Sequence, residues 1–139
     1  MSAHKFRYFQ APRQQNEKVI YVPIPLIDVV INYKRGQMFN VLALVDSGAS
    51  VNLFPASLGE KLGINIPKGK KHKIAGIGDI QIDSFLHEGI GIFIEGHKIE
   101  TNAYFSYQQQ IPLLGQNGFF DKCHKVLFNR KEEEIIISI

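Results

Sequence analysis

"LALVDSGAS", residues Leu42–Ser50, joins an apolar run directly to an aspartate and a polar turn. Such a run is typical of a buried strand. Asp-Ser-Gly is typical of a turn, because aspartate accepts backbone N–H bonds and glycine adopts positive φ. The residues alone allow two interpretations. Either a strand ends in a structural turn, or the strand exists to hold the carboxylate of Asp46 at a fixed place inside a cleft.

Two later stretches favour the chemical interpretation. "AGIGD", residues 75–79, carries two glycines between apolar flanks, a pattern that predicts a mobile hairpin. "LLG", residues Leu113–Gly115, is a second apolar strand that runs into glycine. An aspartate after one apolar strand, a glycine-bearing hairpin and a second strand ending in glycine form an ordered set, which is more specific than the Asp-Ser-Gly triplet.

The rest of the chain is predicted to be mostly β. Runs of β-branched and aromatic residues between turn signals indicate roughly seven to nine short strands, typical of an antiparallel barrel or sandwich. The near-continuous apolar run at 38–45 predicts a strand buried on both faces. One short helix is predicted over residues 55–63, and a helix of two turns over residues 118–126.

Length and composition favour one soluble domain. The chain has 139 residues, 45% of them hydrophobic and 21% charged. Residues 1–17 are polar without periodicity and predict a flexible arm, which leaves residues 18–139 as the domain. We expect a cytoplasmic protein with no membrane partner, because neither a signal peptide nor a long apolar span is visible.

Charge and cysteine content exclude several function classes. The net charge is +3, and the basic run at 68–73 lacks interleaved aromatics, so we expect no nucleic-acid partner. Cys123 is the only cysteine, which rules out an internal disulfide or a zinc site built from several thiolates. The five histidines lack zinc-site spacing. No metal and no cofactor are therefore expected.

The ordered set resembles the retropepsin-like aspartic proteases, from about Pro23 to Ile139. "LLGQNGFFD", residues 113–121, is similar to a form common in bacterial members of that family. The resemblance implies a mostly β fold, a closed antiparallel barrel of the retropepsin type with one or two short helices. It also implies an aspartic-type endopeptidase, a hydrolase that acts on peptide or protein substrates.

The resemblance also implies roles for individual residues. Asp46 is the expected catalytic aspartate. Ser47, Gly48 and Ala49 complete the active-site loop, in which the Ser47 hydroxyl is expected to bond across a two-fold axis. The expected flap is Ala75, Gly76, Ile77 and Gly78, and the expected supporting strand is Leu113, Leu114 and Gly115.

A single chain supplies only half of the chemistry that the resemblance implies. The mechanism needs two carboxylates around one water, and the chain has one Asp-Ser-Gly, because Phe85 follows Asp83 and Ser84. The second Asp46 is therefore expected from an identical subunit in a C2 homodimer. In the resembled family, terminal strands interleave between subunits. The apolar end "EEEIIISI" is accordingly expected at the dimer interface, with pairing inside its own subunit as the alternative.

Two positions depart from the retroviral pattern. Retroviral members often carry an aspartate and an arginine, paired as ions, where this chain has Ser50 and Gln116. A neutral contact between Ser50 and Gln116 is expected in place of the ion pair. The departure keeps open a catalytically inactive β-barrel dimer that acts as a protein–protein interaction module. A third hypothesis is a barrel that binds single-stranded nucleic acid.

Overall fold

The computed structural model of the chain describes residues 1–76 and 78–139, which form twelve strands and three short helical segments. The strands are β1 (Ala3–Arg7), β2 (Phe9–Gln15), β3 (Lys18–Ile24), β4 (Leu26–Tyr33), β5 (Phe39–Val45), β6 (Leu53–Pro55), β7 (Lys70–Ala75), β8 (Gln81–Ile94), β9 (His97–Ser106), β10 (Leu113–Leu114), β11 (Lys125–Asn129) and β12 (Glu134–Ser138). The helix α1 spans Ala56–Lys61, and 3₁₀ turns span Ile66–Lys68 and Phe120–Lys122. Among the described residues, no helix is both long and apolar enough to cross a membrane.

Six strands close into a barrel. Their order is β4-β5-β10-β6-β9-β8, and β8 pairs back onto β4, so the ring has no free edge. β7 extends the sheet beyond β8. The prediction of a mostly β, closed barrel with few helices is confirmed. Two of the pairings, β5–β10 and β6–β9, are parallel and the others antiparallel.

Alternating isoleucines fill the barrel. Ile27 and Ile31 on β4 and Ile90 and Ile92 on β8 are buried, because every second residue of a strand points to the same side. Phe54 also lies in this core. The hairpin between β8 and β9 turns at Glu95 and Gly96, both with positive φ, the geometry that suits the twist of two strands joined by a two-residue loop.

The strand that leads to Asp46 is buried on one face only, which corrects the prediction of burial on both faces. Ala43 and Val45 are buried, whereas Leu42 is exposed and Leu44 is partly exposed. The continuous apolar run at 38–45 therefore does not correspond to a strand that is buried on both faces. The outer face of β5 leaves Leu42 exposed and Leu44 partly exposed in the single chain, beside the exposed Asn40.

The C-terminal strand pairs within its own chain. β12 is the middle strand of a three-stranded sheet, with β1 on one side and β11 on the other. Ile135 and Ile137 are fully buried in the core of the chain. The expected interleaving of β12 between subunits is therefore wrong for this arrangement, because both of its hydrogen-bonding edges are already occupied.

Two further segments differ from the sequence-based expectation. The first 15 residues, predicted to be irregular, contain β1 and β2, which pair with β12 and β3. Their separation from the domain as a flexible arm stays a prediction. The two-turn helix expected over residues 118–126 is a single 3₁₀ turn, because Cys123 is already extended and β11 begins two residues later.

Candidate active site

The Asp46 loop lies where β5 meets β10. These two strands run parallel, with Leu113 beside Leu44 and Leu114 beside Val45. The backbone N–H of Asp46 donates to the carbonyl of Leu114 at 3.0 Å, which continues the pairing by one residue. The aspartate is thus held at the end of a rigid element, as the apolar run before it predicts.

The carboxylate of Asp46 is oriented by its own turn. The backbone N–H of Gly48 donates to Oδ1 of Asp46 at 2.9 Å, and the N–H of Ala49 donates to the Asp46 carbonyl at 3.1 Å. Asp46 is partly exposed, whereas Ser47 and Gly48 are exposed. The turn therefore presents a fixed carboxylate toward the outside of the single chain.

Gly115 explains why the supporting strand ends in glycine. A Cβ built on Gly115 would lie 2.2 Å from the carbonyl oxygen of Val51 and 2.8 Å from that of Ala49. Both neighbours are backbone atoms, which cannot rotate away as a side chain can. Only glycine lets the chain after β10 pass this close beneath the Asp46 loop.

Asn52 holds the loop to the supporting strand, and the sequence analysis did not identify it. Its Oδ1 accepts from the N–H of Gly115 at 3.1 Å, and its Nδ2 donates to the carbonyl of Asn102 at 3.0 Å. The side chain is buried. A lone asparagine six residues after an aspartate is a weak signal, because its partners are distant in sequence.

Ser50 and Gln116 do not form the expected contact with each other, and each bonds to other residues instead. Nε2 of Gln116 donates to the carbonyl of Ser47 at 2.9 Å, and its backbone N–H donates to Ala49 at 2.8 Å. Ser50 instead accepts, through its carbonyl, from the backbone and side-chain N–H groups of Asn117. Neutral amides therefore tie the two segments together, but each is shifted by one position or more from the expected pairing.

The expected flap is the hairpin of β7 and β8. Ala75 pairs with Gln81, and the N–H of Gly76 donates to the carbonyl of Ile80 at 2.7 Å. Gly78 has φ of +76° and nothing within 4 Å of an added Cβ. Ile77 lies outside the described residues. Among the residues described, no hydrogen bond joins this hairpin to the Asp46 loop.

An apolar cavity of about 460 Å³ adjoins the carboxylate. Asp46 and Ser47 line it together with apolar residues from four parts of the chain, Ile24, Pro25, Leu44, Val45, Ile111 and Phe128. A carboxylate beside apolar walls is suited to hold an apolar side chain next to a reacting group. A larger cavity of about 560 Å³ has charged walls, among them Lys34, Glu88 and Lys98, and contains no predicted site residue.

Comparisons with known proteins find a likeness among solved structures. No protein-family model matches the chain, and no curated protein sequence matches it. Among solved structures, the chain is similar to that of the EIAV protease complexed with the inhibitor HBY-793. The TM-score is 0.49 and the identity 22%, over 74% of this chain and 86% of that chain.

Proposed function

We propose that the chain is an aspartic endopeptidase, a bacterial-type member of the retropepsin-like family, that acts as a homodimer. One observation carries the proposal: the Asp46 carboxylate is oriented by Gly48 at the end of β5 and borders an apolar cavity. The segment that holds this turn passes directly beneath it, at a distance that only Gly115 allows.

The homodimer follows from the number of carboxylates. Among the residues that line the cavity, Asp46 is the only acid. A second copy of the chain, related by a two-fold axis beside Asp46, supplies the other. Exposed Ser47 and the uncovered face with Leu42 and Leu44 are then buried between the subunits, where the Ser47 hydroxyl has a partner across the axis.

Two carboxylates held close share one proton, because like charges at short distance disfavour full ionisation. The ionised Asp46 accepts a proton from water as the water oxygen attacks the carbonyl carbon of the scissile peptide bond. The protonated Asp46 donates a hydrogen bond to the carbonyl oxygen. The tetrahedral intermediate collapses when its nitrogen receives a proton and the C–N bond breaks, which releases a carboxylic acid and an amine.

The β7–β8 hairpin is proposed to close over the substrate. It extends the sheet from β8, and its tip is held by the bond from Gly76 to Ile80. Closure of a loop excludes water and positions the substrate, and such motions need residues that absorb backbone change. Gly78 meets that need, because its positive φ is strained for other residues.

The proposal is tested by incubating a diverse peptide library with the wild type and with Asp46→Asn, with products read by mass spectrometry. We expect cleavage by the wild type and its loss in the variant, because an amide cannot accept the proton from water. Glu100→Gln is the matched control. This exposed carboxylate forms an ion pair with Lys98 and lines the larger, charged cavity, not the one beside Asp46. Loss of cleavage only in Asp46→Asn supports the proposal.

Two results would overturn the catalytic proposal. Cleavage by Asp46→Asn at the wild-type rate would mean that another group does the chemistry. Absence of cleavage by the wild type, together with no binding of a statine-type peptide, would favour the inactive interaction module instead. Such a peptide mimics the tetrahedral intermediate, so an intact dyad should bind it even when the natural sequence preference is unknown.

A further inference from the structure

The hairpin of β2 and β3 forms a two-stranded sheet of its own, separate from the barrel sheet. Its strands pair in register from Phe9 with Ile24 to Gln15 with Lys18, and its turn has positive φ at Asn16 and Glu17. Over the described residues, neither strand joins another sheet. A two-stranded hairpin alone is at best marginally stable in water, so this one is expected to be covered by something.

One face of the hairpin is an apolar stripe. Residues opposite each other in an antiparallel pair share a face, as do alternate residues along a strand. The face that begins with the pair of Phe9 and Ile24 therefore continues through Ala11 and Val22 to Ile20, which lies opposite Arg13. We call these five apolar residues the hairpin stripe. Phe9 is 39% exposed and Ile20 is 36% exposed in the single chain.

The hairpin stripe starts at the Asp46 cavity. Ile24 lines that cavity, and the next residue, Pro25, accepts the backbone N–H of Val45 at 2.9 Å. The base of the hairpin is thereby tied to the strand that carries Asp46. Ile24 of the stripe and Leu44 on the outer face of β5 line the same cavity as the carboxylate.

We propose that the hairpin stripe packs against a second copy of this chain and forms a dimer arm beside the paired Asp46 loops. The inference rests on the proposed homodimer. A two-fold axis beside Asp46 places apolar surface that starts at Asp46 next to the partner. The terminal strand β12 is fully paired within its own chain, so a dimer needs contact area from elsewhere.

The chemistry of the stripe fits a copy of the chain. Its five side chains are apolar, and the charged residues of the same face, Arg13 and Lys18, lie toward the turn, where the polar rim of an interface is expected. The partner offers matching apolar surface, because each copy exposes Leu42 and the same stripe. The tip at Asn16 and Glu17 is polar and exposed, as expected for the rim of an interface.

The test compares two faces of the same hairpin by sedimentation equilibrium. The stripe variant is Phe9→Ser with Ile20→Gln. The matched control is Val19→Gln with Tyr21→Gln, which removes apolar side chains from the opposite face, 56% and 65% exposed. We expect the dimer dissociation constant to rise at least tenfold in the stripe variant and less than twofold in the control. Circular dichroism should show both variants folded.

Three results would overturn the dimer arm. They are an unchanged dissociation constant in the stripe variant, an equal rise in the control, and a wild type that stays monomeric at all concentrations. A stripe variant that keeps its dimer but raises KM would assign the stripe to substrate. Should the stripe variant fail to fold, hydrogen exchange of wild-type β2 and β3 decides: concentration-dependent protection supports the arm, and its absence overturns it.

Failure of the arm and failure of the catalytic proposal are separable. Asp46→Asn is expected to dimerise with the wild-type constant, because the stripe is intact. A wild type that dimerises through the stripe but cleaves nothing would leave the arm standing and remove the protease. A stripe variant that still dimerises and cleaves would remove the arm and leave the protease.

Discussion

The Asp46 loop and the tip of the β7–β8 hairpin are both glycine-bearing turns, yet they are held very differently. Hydrogen bonds hold the loop from several sides. Gly48 bonds within the turn, Gln116 and Asn117 bond to it from the segment after β10, and Asn52 bonds to Gly115 beneath it. The tip is closed by the bond from Gly76 to Ile80, and Gly78 is exposed with open space around it. Among the described residues, more hydrogen bonds hold the Asp46 loop than hold the tip of the β7–β8 hairpin.

Glycine is required in the two regions for different physical reasons. Gly115 is needed because backbone lies against it, so the constraint is steric and any side chain would push two segments apart. Gly78 is needed because of its positive φ, so the constraint is conformational and local. Substitutions at the two glycines should therefore fail in different ways, one through stability and the other through turnover.

The largest expected effect is at Gly115. Gly115→Ala puts a Cβ within 2.2 Å of the Val51 carbonyl oxygen. We expect a loss of about 3 kcal/mol in the free energy of unfolding, the upper range for overpacking, and a fall of roughly 10 °C in Tm. Gly63→Ala is the control, because Gly63 has positive φ but nothing within 4 Å. Equal losses at both glycines would break the steric half of the comparison.

The next effect is at Asn52. Asn52→Ala leaves the buried N–H of Gly115 without its partner and removes one donor to the partly buried carbonyl of Asn102. We expect a loss of about 2 kcal/mol, measured by urea unfolding. Asn117→Ala removes an exposed amide that bonds to Ser50, and it should cost less than about 1 kcal/mol. A larger loss of stability in Asn117→Ala than in Asn52→Ala would show that the exposed amide, and not the buried one, holds the loop.

A smaller stability effect, with a larger effect on activity, is expected at the hairpin tip. Gly78→Val and Gly96→Val each place a β-branched residue at positive φ in a hairpin turn, with no neighbour to clash. Each should lose about 1–2 kcal/mol. Only Gly78→Val should also lower kcat/KM in peptide cleavage. Equal turnover in the two variants would remove the flap role.

The smallest effect concerns Cys123, which follows the 3₁₀ turn at Phe120–Lys122. Burial, with a smaller contribution from Asp121, raises the pKa of its thiol to about 11. The folded state then keeps a proton that the unfolded state loses above pH 9, so stability should fall as pH rises from about 9 toward 11. Cys123→Ser should flatten that fall in Tm. An identical slope in the variant would contradict the shift.

Local signals predicted the turn at Asp46 and the β7–β8 hairpin, because the relevant contacts lie close in sequence. Asp46, Gly48 and the two glycines of the β7–β8 tip act within their own turns, so residue type and spacing carry the information. The motif "LLG" predicted that Gly115 matters. The reason, the close approach of the Val51 backbone, could not be predicted from the sequence.

The remaining features depend on partners far along the chain. β1 pairs with β12, which lies at the other end of the sequence. The sequence "AHKFR" has no periodicity that predicts this pairing. Asn52 and Gln116 act through backbone carbonyls, which every residue has, so their side chains gave no sign of which carbonyl they would meet. The same reason explains why the Ser50 contact was assigned to the wrong amide.

The most direct test of the central claim is the stoichiometry of a tight statine-type peptide, measured by calorimetric titration of the wild type. Two chains that share one Asp46 pair should bind one peptide per two chains, and Asp46→Asn should lose most of that affinity. One peptide per chain, or equal affinity in Asp46→Asn, would contradict an active site made from two copies of Asp46.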